Sequence, residues 1–295
     1  RSSRRLFTTD EGTAIHYCPR CDAGFVHPMP DPLTLSAFYE DHRYLGGGHQ
    51  GHGYEDYQGL ATEHRKSLLR RDFRLEKLEE LLPGRGRMLD VGCGNGYRLS
   101  VAAEAGWSCV GVEPSAWAVE QGRERFGLDL RQGTLEDASP EGPFDAIMLE
   151  DVLEHVPRPR ELLSQAEALL APGGVVVVNL PNFGSRRVKL RGPGWNEVRP
   201  PEHLTYLSRS SLDQLGEELG LTVVWSSRHP RYQVPAEELR SCLPGALRIL
   251  LDGLDGGPAA VVTDSLQHLF FQTYDQLLQY PKLLAMLSRT AGSRG

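Results

Sequence analysis

Long apolar runs are missing from this sequence. No stretch approaches the roughly 18 apolar residues that a bilayer-spanning helix needs, and the first five residues (RSSRR) contain no apolar core of a signal peptide. An excess of positive charge is also missing, since 32 Lys and Arg stand against 39 Asp and Glu, a net charge of −7. We therefore expect neither a nucleic-acid binder nor a protein held at a membrane.

Cysteine is scarce as well. The 295 residues include five cysteines, an odd number at irregular spacing, which does not indicate the disulfide framework of a secreted protein. With 40% hydrophobic and 24% charged residues, the composition is that of an ordinary globular protein with one sizeable domain and appendages. We expect a cytoplasmic protein, and the sequence leaves its oligomeric state open.

Three segments follow one another along the chain. Residues 1–58 form an N-terminal segment rich in Gly, Pro, His and Tyr, and they carry the one CxxC pair of the sequence. Residues 59–228 alternate between strand-like and helix-like patterns, starting with a helical pattern over 61–82. Residues 229–295 have mostly helical spacing and are expected to form a helical C-terminal extension.

The middle segment contains apolar runs separated by helical stretches with end signals. Ser115 is a helix cap with Gly127 as the terminator, and Pro159 opens a helix that Gly173 is expected to end. This alternation predicts an α/β fold, a doubly wound and mostly parallel Rossmann-like sheet with helices on both faces. The predicted strands are 88–91, 109–112, 144–149, 175–178 and 221–226.

A glycine-rich turn follows the first of these strands, in MLDVGCGNG (88–96). Glycines Gly92, Gly94 and Gly96 allow a sharp reversal and close approach of a ligand to bare backbone. The GxGxxG element of nicotinamide dehydrogenases would need glycine at Tyr97, which disfavours that class. With Asp90 before the glycines, the motif instead resembles the first motif of the class I S-adenosylmethionine (SAM)-dependent methyltransferases. In that family the turn accommodates the methionine part of SAM, and the Asp helps to position it.

Three further elements occur in the order of that family, over about residues 61–226. Glu113 ends the strand 109–112, where a carboxylate can accept both ribose hydroxyls. By the resemblance, Thr134, Leu135 and Glu136 contact the adenine. The segment FDAIMLEDVLEHV (144–156) resembles that of the ubiquinone O-methyltransferases, which places Leu149 to His155 beside the sulfonium.

The base that takes the acceptor's proton is expected on loops above the carboxyl ends of the strands. His155 is one candidate, with the alternative that it only orders the loop. The loop 181–207 contains the others, Glu202 and His203, with Tyr206 near enough to cover an acceptor. Because an unperturbed imidazole titrates near neutral pH, His203 is the first choice, oriented by Glu202. The alternative is that His203 and Tyr206 only anchor the loop.

The pair Glu202–His203 resembles the Glu-His pair of sugar-nucleotide C-methyltransferases. Their pattern has a tyrosine two residues before the Glu, where this chain has Pro200, and this departure weakens the expectation of C-methylation. The resemblance implies a SAM-dependent methyltransferase whose acceptor is a small molecule, such as a secondary metabolite or a sugar nucleotide. The alternative is a SAM-fold binding or scaffold module that has lost catalysis.

The pair Cys18 and Cys21 has the spacing of a zinc knuckle, because two thiolates separated by two residues can share one tetrahedral ion. One CxxC is half a site. His16 and His27 lie close enough in sequence to complete it, whereas in many relatives a second CxxC does so, which here would lie before Arg1. Two ordinary thiols in a turn are the alternative.

Class I methyltransferases end their sheet with an antiparallel seventh strand. Residues 227–295 contain no convincing β-pattern, so we expect about six strands in this chain.

Overall fold

The computed structural model describes residues 3–40, 57–70, 72–84, 86–185, 188, 191–227 and 282–290. None of the helices in these ranges has both the length and the apolar character required to cross a membrane.

Seven strands form a central sheet. They are β4 (Arg87–Val91), β5 (Ser108–Glu113), β6 (Asp129–Gln132), β7 (Phe144–Glu150), β8 (Leu170–Pro181), β10 (Leu221–Ser227) and β11 (Lys282–Arg289). Their order in the sheet is β10–β11–β8–β7–β4–β5–β6. The strands β8, β7, β4, β5 and β6 run parallel to one another, and β11 runs antiparallel to both of its neighbours. The predicted doubly wound, mostly parallel sheet is therefore confirmed.

The expectation of six strands is wrong. Strand β11 is the seventh and lies between β8 and β10, so the prediction of a helical extension also fails over 282–289. The segment LLAMLS (283–288) lacks β-branched residues and has no period of two, because Leu283 to Leu287 are all buried within the sheet. The sequence of a strand that is buried on both faces is a continuous apolar run. Such a run cannot be distinguished from a buried helix by its pattern. Residues 228–281 and 291–295 lie outside the described residues.

Helices flank the sheet, and local signals set their ends. Ser115 accepts a hydrogen bond from the backbone N–H of Ala118 at 3.3 Å, and Gly127 ends the same helix, as predicted. The predicted helix 61–82 is two helices, because the side chain of Asp72 caps the second one. The helix that starts at Pro159 ends before Gly173. The helices are α1 (Pro32–Glu40), α2 (Tyr57–Arg70), α3 (Phe73–Leu81), α4 (Tyr97–Glu104), α5 (Ala116–Phe126), α6 (Leu135–Ala138), α7 (Pro159–Ala168) and α8 (Arg209–Glu218).

Alternate residues of the buried strands supply two apolar cores, one on each face of the sheet. In β7, Ile147 and Leu149 belong to one core, whereas Ala146 and Met148 belong to the other. The middle of the sheet is thus fully covered, which leaves the ends of the strands as the places where polar side chains reach a ligand.

The N-terminal segment forms a second sheet together with the loop 181–207. Its strands β1 (Arg4–Thr8), β2 (Ala14–Cys18) and β3 (Ala23–His27) are joined by β9 (Thr205–Leu207) in the order β1–β2–β3–β9. The backbone N–H of Leu204 donates to the carbonyl oxygen of Glu154, just after β7, at 2.8 Å. This second sheet is therefore fixed at the carboxyl edge of the central sheet.

Candidate functional site

The glycine turn links the ends of β4 and β5. The backbone N–H of Gly92 donates to the carbonyl oxygen of Val112 at 2.8 Å. Gly92 has a φ of 71°, and a Cβ there would come within 2.7 Å of Val152 Cγ2. Any other residue would therefore be strained in conformation and crowded by its neighbour. Gly94 and Gly96 also have positive φ values, so the turn predicted from the sequence is confirmed as backbone geometry.

Glu113 lies at the end of β5 and points into this turn. Its Oε2 accepts a hydrogen bond from the backbone N–H of Gly94 at 2.9 Å, and its Oε1 accepts one from Ser115 at 3.0 Å. The carboxyl group is only 8% exposed, and this burial raises its pKa, against the effect of the two backbone hydrogen bonds. Each carboxylate oxygen can accept more than one hydrogen bond, so both oxygens are oriented and able to accept further donors.

A buried charged cluster lies beside the turn, and sequence reasoning missed most of it. The carboxylate oxygen Oε2 of Glu150 accepts hydrogen bonds from the guanidinium groups of both Arg74 and Arg98. Asp72 also accepts one from Arg74, at 3.0 Å between Oδ1 and Nε. Glu150 ends β7, the neighbour of β4 in the sheet. The position of Glu150 at a strand end was the signal in the sequence that could have identified it.

Asp90 in β4 belongs to the same cluster. Burial raises the pKa of its carboxyl group to about 8, and the charge of Glu150 adds to this rise, whereas Arg98 and Arg74 oppose it. Burial therefore favours the protonated form of this carboxyl group near neutral pH. A cationic ligand placed against Asp90 would favour its ionised form.

The other residues predicted to contact the cofactor lie outside the glycine turn and the charged cluster. Thr134 and Asp137 form a capping box at the start of α6, in which Thr134 Oγ1 donates to Asp137 Oδ2 at 2.6 Å. Leu135 is buried in the core, and Glu136 is exposed. Leu149 is fully buried in the core, so its side chain packs the sheet and offers no surface to a ligand.

His155 follows β7 and contacts the loop 181–207. Its Nδ1 lies 2.9 Å from the backbone carbonyl oxygen of Glu202 and 3.1 Å from the hydroxyl of Tyr39, a residue of α1 that sequence reasoning missed. The side chain is only partly buried. Since a carbonyl oxygen can only accept, the Nδ1 of His155 carries a proton and donates it.

The ring of His203 is in contact with that of His155, and its side chain is more deeply buried. Its Nδ1 donates to the backbone carbonyl oxygen of Glu197 at 2.7 Å, and its Nε2 lies 3.3 Å from Nη2 of Arg199, which donates to it. The residue is only 2% exposed. Both ring nitrogens are thus occupied by groups of the protein itself.

Glu202 and Tyr206 are also buried. Oε2 of Glu202 is 3.4 Å from Nη1 of Arg199, so this carboxylate is paired within the loop. The hydroxyl of Tyr206 donates to the backbone carbonyl oxygen of His203 at 3.1 Å. Its ring packs with Phe183 and Trp195 in the core of the N-terminal sheet, and burial raises its pKa. The structure thus places Tyr206 as a support of the loop.

One group of possible metal ligands occurs among the described residues. Atoms of Glu154, His155 and His203 lie within 4.8 Å of one another. A metal ion needs a lone pair from each histidine, and His203 uses its two nitrogens to donate to Glu197 and to accept from cationic Arg199. We therefore assign no metal here.

Cys18 and Cys21 lie at the turn between β2 and β3 as free thiols. Hydrogen bonds from Cys21 lower the pKa of Cys18, whereas the hydrogen bond with Cys18 and burial raise the pKa of Cys21. The group of ligands found over the described residues includes neither cysteine, and the rings of His16 and His27 pack against each other with centroids 4.5 Å apart and their planes tilted by 53°. Cys18 and Cys21 are thus two thiols close together, and no further ligand is found beside them among the described residues.

Comparisons with known proteins agree with the architecture. The family model described as a methyltransferase domain matches residues 61–226. A ubiquinone biosynthesis O-methyltransferase from Bradyrhizobium sp. (strain ORS 278) is 35% identical over 101 residues, 32% of this chain and 40% of that protein. Another, from Caulobacter sp. (strain K31), is 37% identical over 102 residues, 31% of this chain and 39% of that protein. The match therefore spans well under half of these curated relatives.

The fold is also found in solved structures. A crystal structure of a SAM-dependent methyltransferase from Archaeoglobus fulgidus aligns with 80% of this chain and 100% of its own length. The TM-score is 0.53 and the sequence identity is 21%. At this identity the likeness extends to the fold alone.

Proposed function

The chain belongs to the methyltransferase-domain family, and on that premise we propose that it transfers the methyl group of SAM to a small-molecule acceptor. The observation that carries the proposal is the position of Glu113. Its buried carboxylate accepts a hydrogen bond from the backbone N–H of Gly94 in the glycine turn. The carboxylate that we propose to bind the ribose is therefore held in a fixed position relative to the glycine turn. Asp90, Gly92, Gly94, Gly96 and Glu113 are the residues that we propose to hold the cofactor.

The charged cluster suits the amino-acid end of SAM. A methionine group carries one carboxylate and one ammonium, and the cluster offers two guanidinium groups, from Arg74 and Arg98, beside the carboxyl groups of Asp90 and Glu150. Hydrogen bonds between such oppositely charged groups are stronger than hydrogen bonds between neutral groups. For the adenine, Thr134, Leu135 and Glu136 remain the proposed neighbours, because Gly133 donates its N–H to the carbonyl oxygen of Glu113 at 3.0 Å.

When bound, SAM supplies an electrophilic methyl group on a sulfonium. We propose that His155 accepts the proton that the acceptor loses as its attacking atom gains the methyl group. His155 is preferred over His203, the first choice from the sequence, because Arg199 already donates to the Nε2 of His203. His203, Glu202 and Tyr206 then hold the loop 181–207 in place around His155.

A small acceptor fits this arrangement better than a macromolecule. The N-terminal sheet and the loop 181–207 cover the edge of the central sheet above His155, and the net charge of −7 disfavours nucleic acid. The named relatives support an O-methylated acceptor, and the Glu202–His203 pair supports a sugar nucleotide. The cytoplasm is the proposed location.

Two measurements test the proposal. Isothermal titration calorimetry with SAM and with NAD should show binding of SAM alone, and binding of NAD alone would overturn it. Incubation with methyl-labelled SAM and the small-molecule fraction of a cell extract should then move label into that fraction. Binding of SAM without transfer to any acceptor would instead support the module that has lost catalysis.

Zinc is a separate proposal. Cys18 and Cys21 would hold it as two of four ligands, since two thiolates separated by two residues can share one tetrahedral ion. Elemental analysis should find about one zinc per chain in the purified protein and none after C18S and C21S. A zinc-free preparation of the unmodified protein would discard the idea.

A further inference from the structure

Tyr39, His155 and the backbone of Glu202 meet at one point. The hydroxyl oxygen of Tyr39 is 2.9 Å from the carbonyl oxygen of Glu202 and 3.1 Å from Nδ1 of His155. Nδ1 of His155 is itself 2.9 Å from the same carbonyl oxygen. Because this oxygen can only accept, the phenol and the imidazole both donate to it, and the phenol oxygen, 3.1 Å from Nδ1, is a second acceptor for the imidazole N–H. His155 is therefore in the tautomer with its proton on Nδ1, and its basic lone pair is on Nε2.

Helix α1 brings the phenol to this point by packing. Phe38 is buried and meets Tyr39 edge to face, with ring centroids 5.1 Å apart. It also packs in one apolar cluster with Ala118 and Trp117 of α5, the helix that starts beside Glu113. The two consecutive aromatic residues of α1 thus contact both the cofactor end and the histidine end of the candidate site.

Burial supports the phenol as a permanent donor. Tyr39 lies near the carboxyl groups of Glu202, Glu154 and Glu113, and burial first, then these charges, raises its pKa above the usual value. The hydroxyl therefore keeps its proton at any pH at which the protein functions.

We propose that Tyr39 is a positioning residue for the methyl transfer: its hydroxyl, with the Glu202 carbonyl, fixes His155 with Nδ1 protonated and Nε2 as the proton acceptor. This inference rests on the proposed function, in which His155 accepts the proton. Tyr39 itself touches neither cofactor nor acceptor in this role. A fixed tautomer matters because only one of the two nitrogens of a neutral imidazole can accept a proton.

The test is ¹⁵N NMR of histidine-labelled protein, with the resonances of His155 assigned from a His155→Gln variant. In the unmodified protein, Nδ1 of His155 should show the shift of a protonated ring nitrogen and Nε2 that of an unprotonated one. In Tyr39→Phe, the two shifts should move toward each other, and exchange of the Nδ1 proton with solvent should rise about tenfold, the scale of one lost hydrogen bond.

The phenylalanine keeps the ring that packs against Phe38, so the variant should fold. Tyr17→Phe is the matched control, because it removes from β2 of the N-terminal sheet a hydroxyl that donates to Asp22 at 2.9 Å; the His155 signals should not change. Nε2 protonated in the unmodified protein, or unchanged shifts and exchange in Tyr39→Phe, would overturn the proposal.

Methyl transfer, if detected, should fall about tenfold in Tyr39→Phe with SAM affinity intact. Absence of transfer in the unmodified protein would count against the proposed function, whereas the NMR result decides the role of Tyr39.

Discussion

The rings of His155 and His203 meet edge to face, with their centroids 4.8 Å apart and their planes at 88°. Each ring donates its Nδ1 proton to a backbone carbonyl oxygen, of Glu202 and of Glu197 respectively. At Nε2 of His203, the guanidinium of Arg199 donates a further hydrogen bond. The lone pair with which His203 could take a proton is therefore already engaged within the loop 181–207.

The proposed role of His155 and the engagement of His203 by Arg199 predict the order of two substitutions. His155→Ala should lower the rate of methyl transfer by about 10²–10⁴-fold, the usual contribution of a general base. His203→Ala should lower it less, because it removes a support of the loop. SAM affinity, measured by calorimetry, should change little in either variant. A larger loss in His203→Ala would return the base to the loop 181–207.

Glu113 provides a direct test of the cofactor site. Glu113→Ala should weaken SAM binding by two hydrogen bonds to a charged acceptor, at about 1.5–3 kcal/mol each. The matched control is Glu124→Ala, which removes an exposed carboxylate from α5 and should leave the affinity unchanged. Equal SAM affinities for Glu113→Ala and the unmodified protein in calorimetry would refute the ribose assignment.

Gly122 tests how α5 supports the glycine turn. A Cβ at Gly122 would lie 2.5 Å from the backbone oxygen of Asn95 and 2.4 Å from Leu130 Cδ1, so Gly122→Ala must displace the turn. Overpacking of this kind costs about 1–3 kcal/mol of stability, and SAM affinity should fall with it. Gly194→Ala is the control, since no atom lies within 4 Å of its added Cβ. Urea unfolding that gives equal stabilities for the two variants would contradict this packing.

Asp90 predicts a pH dependence of stability. Folding raises the pKa of its carboxyl group from 3.8 to about 8, so between these values the folded state holds a proton that the unfolded state has released. Because the folded state binds more protons, the contribution of Asp90 to the free energy of unfolding falls as the pH rises from about 4 to about 8. Asp90→Asn removes this contribution.

The measurement is urea unfolding across that pH range. Relative to the unmodified protein, Asp90→Asn should gain stability steadily toward pH 8, and this gain should exceed that of the surface control Asp129→Asn, at an exposed position. A difference for Asp90→Asn that does not depend on pH would show that the carboxyl group ionises normally in the folded protein.

Local patterns in the sequence determined the first part of the central sheet. The strands β4, β5, β7 and β8, the cap at Ser115, the terminator at Gly127 and the glycine turn all lie where the sequence predicts them. These features depend on residues close together in the chain, such as a side chain that bonds a backbone N–H three positions away or a glycine with positive φ. The position of Glu113 could also be predicted from local sequence, because the apolar run of its strand and the acidic residue that ends it are adjacent in the chain.

The tertiary structure alone decided what meets across the sheet. Strand β11 has no pattern of its own, since burial on both faces removes the alternation that identifies a strand. Arg74, Arg98 and Glu150 come together because β7 lies beside β4, and Tyr39 reaches His155 across 116 positions of sequence. The different surroundings of His155 and His203 likewise arise from the packing of the loop 181–207 against the end of β7. The sequence shows that a histidine is present and that it could accept a proton. Only folding decides which groups lie beside each of its two nitrogens, as Arg199 does beside Nε2 of His203.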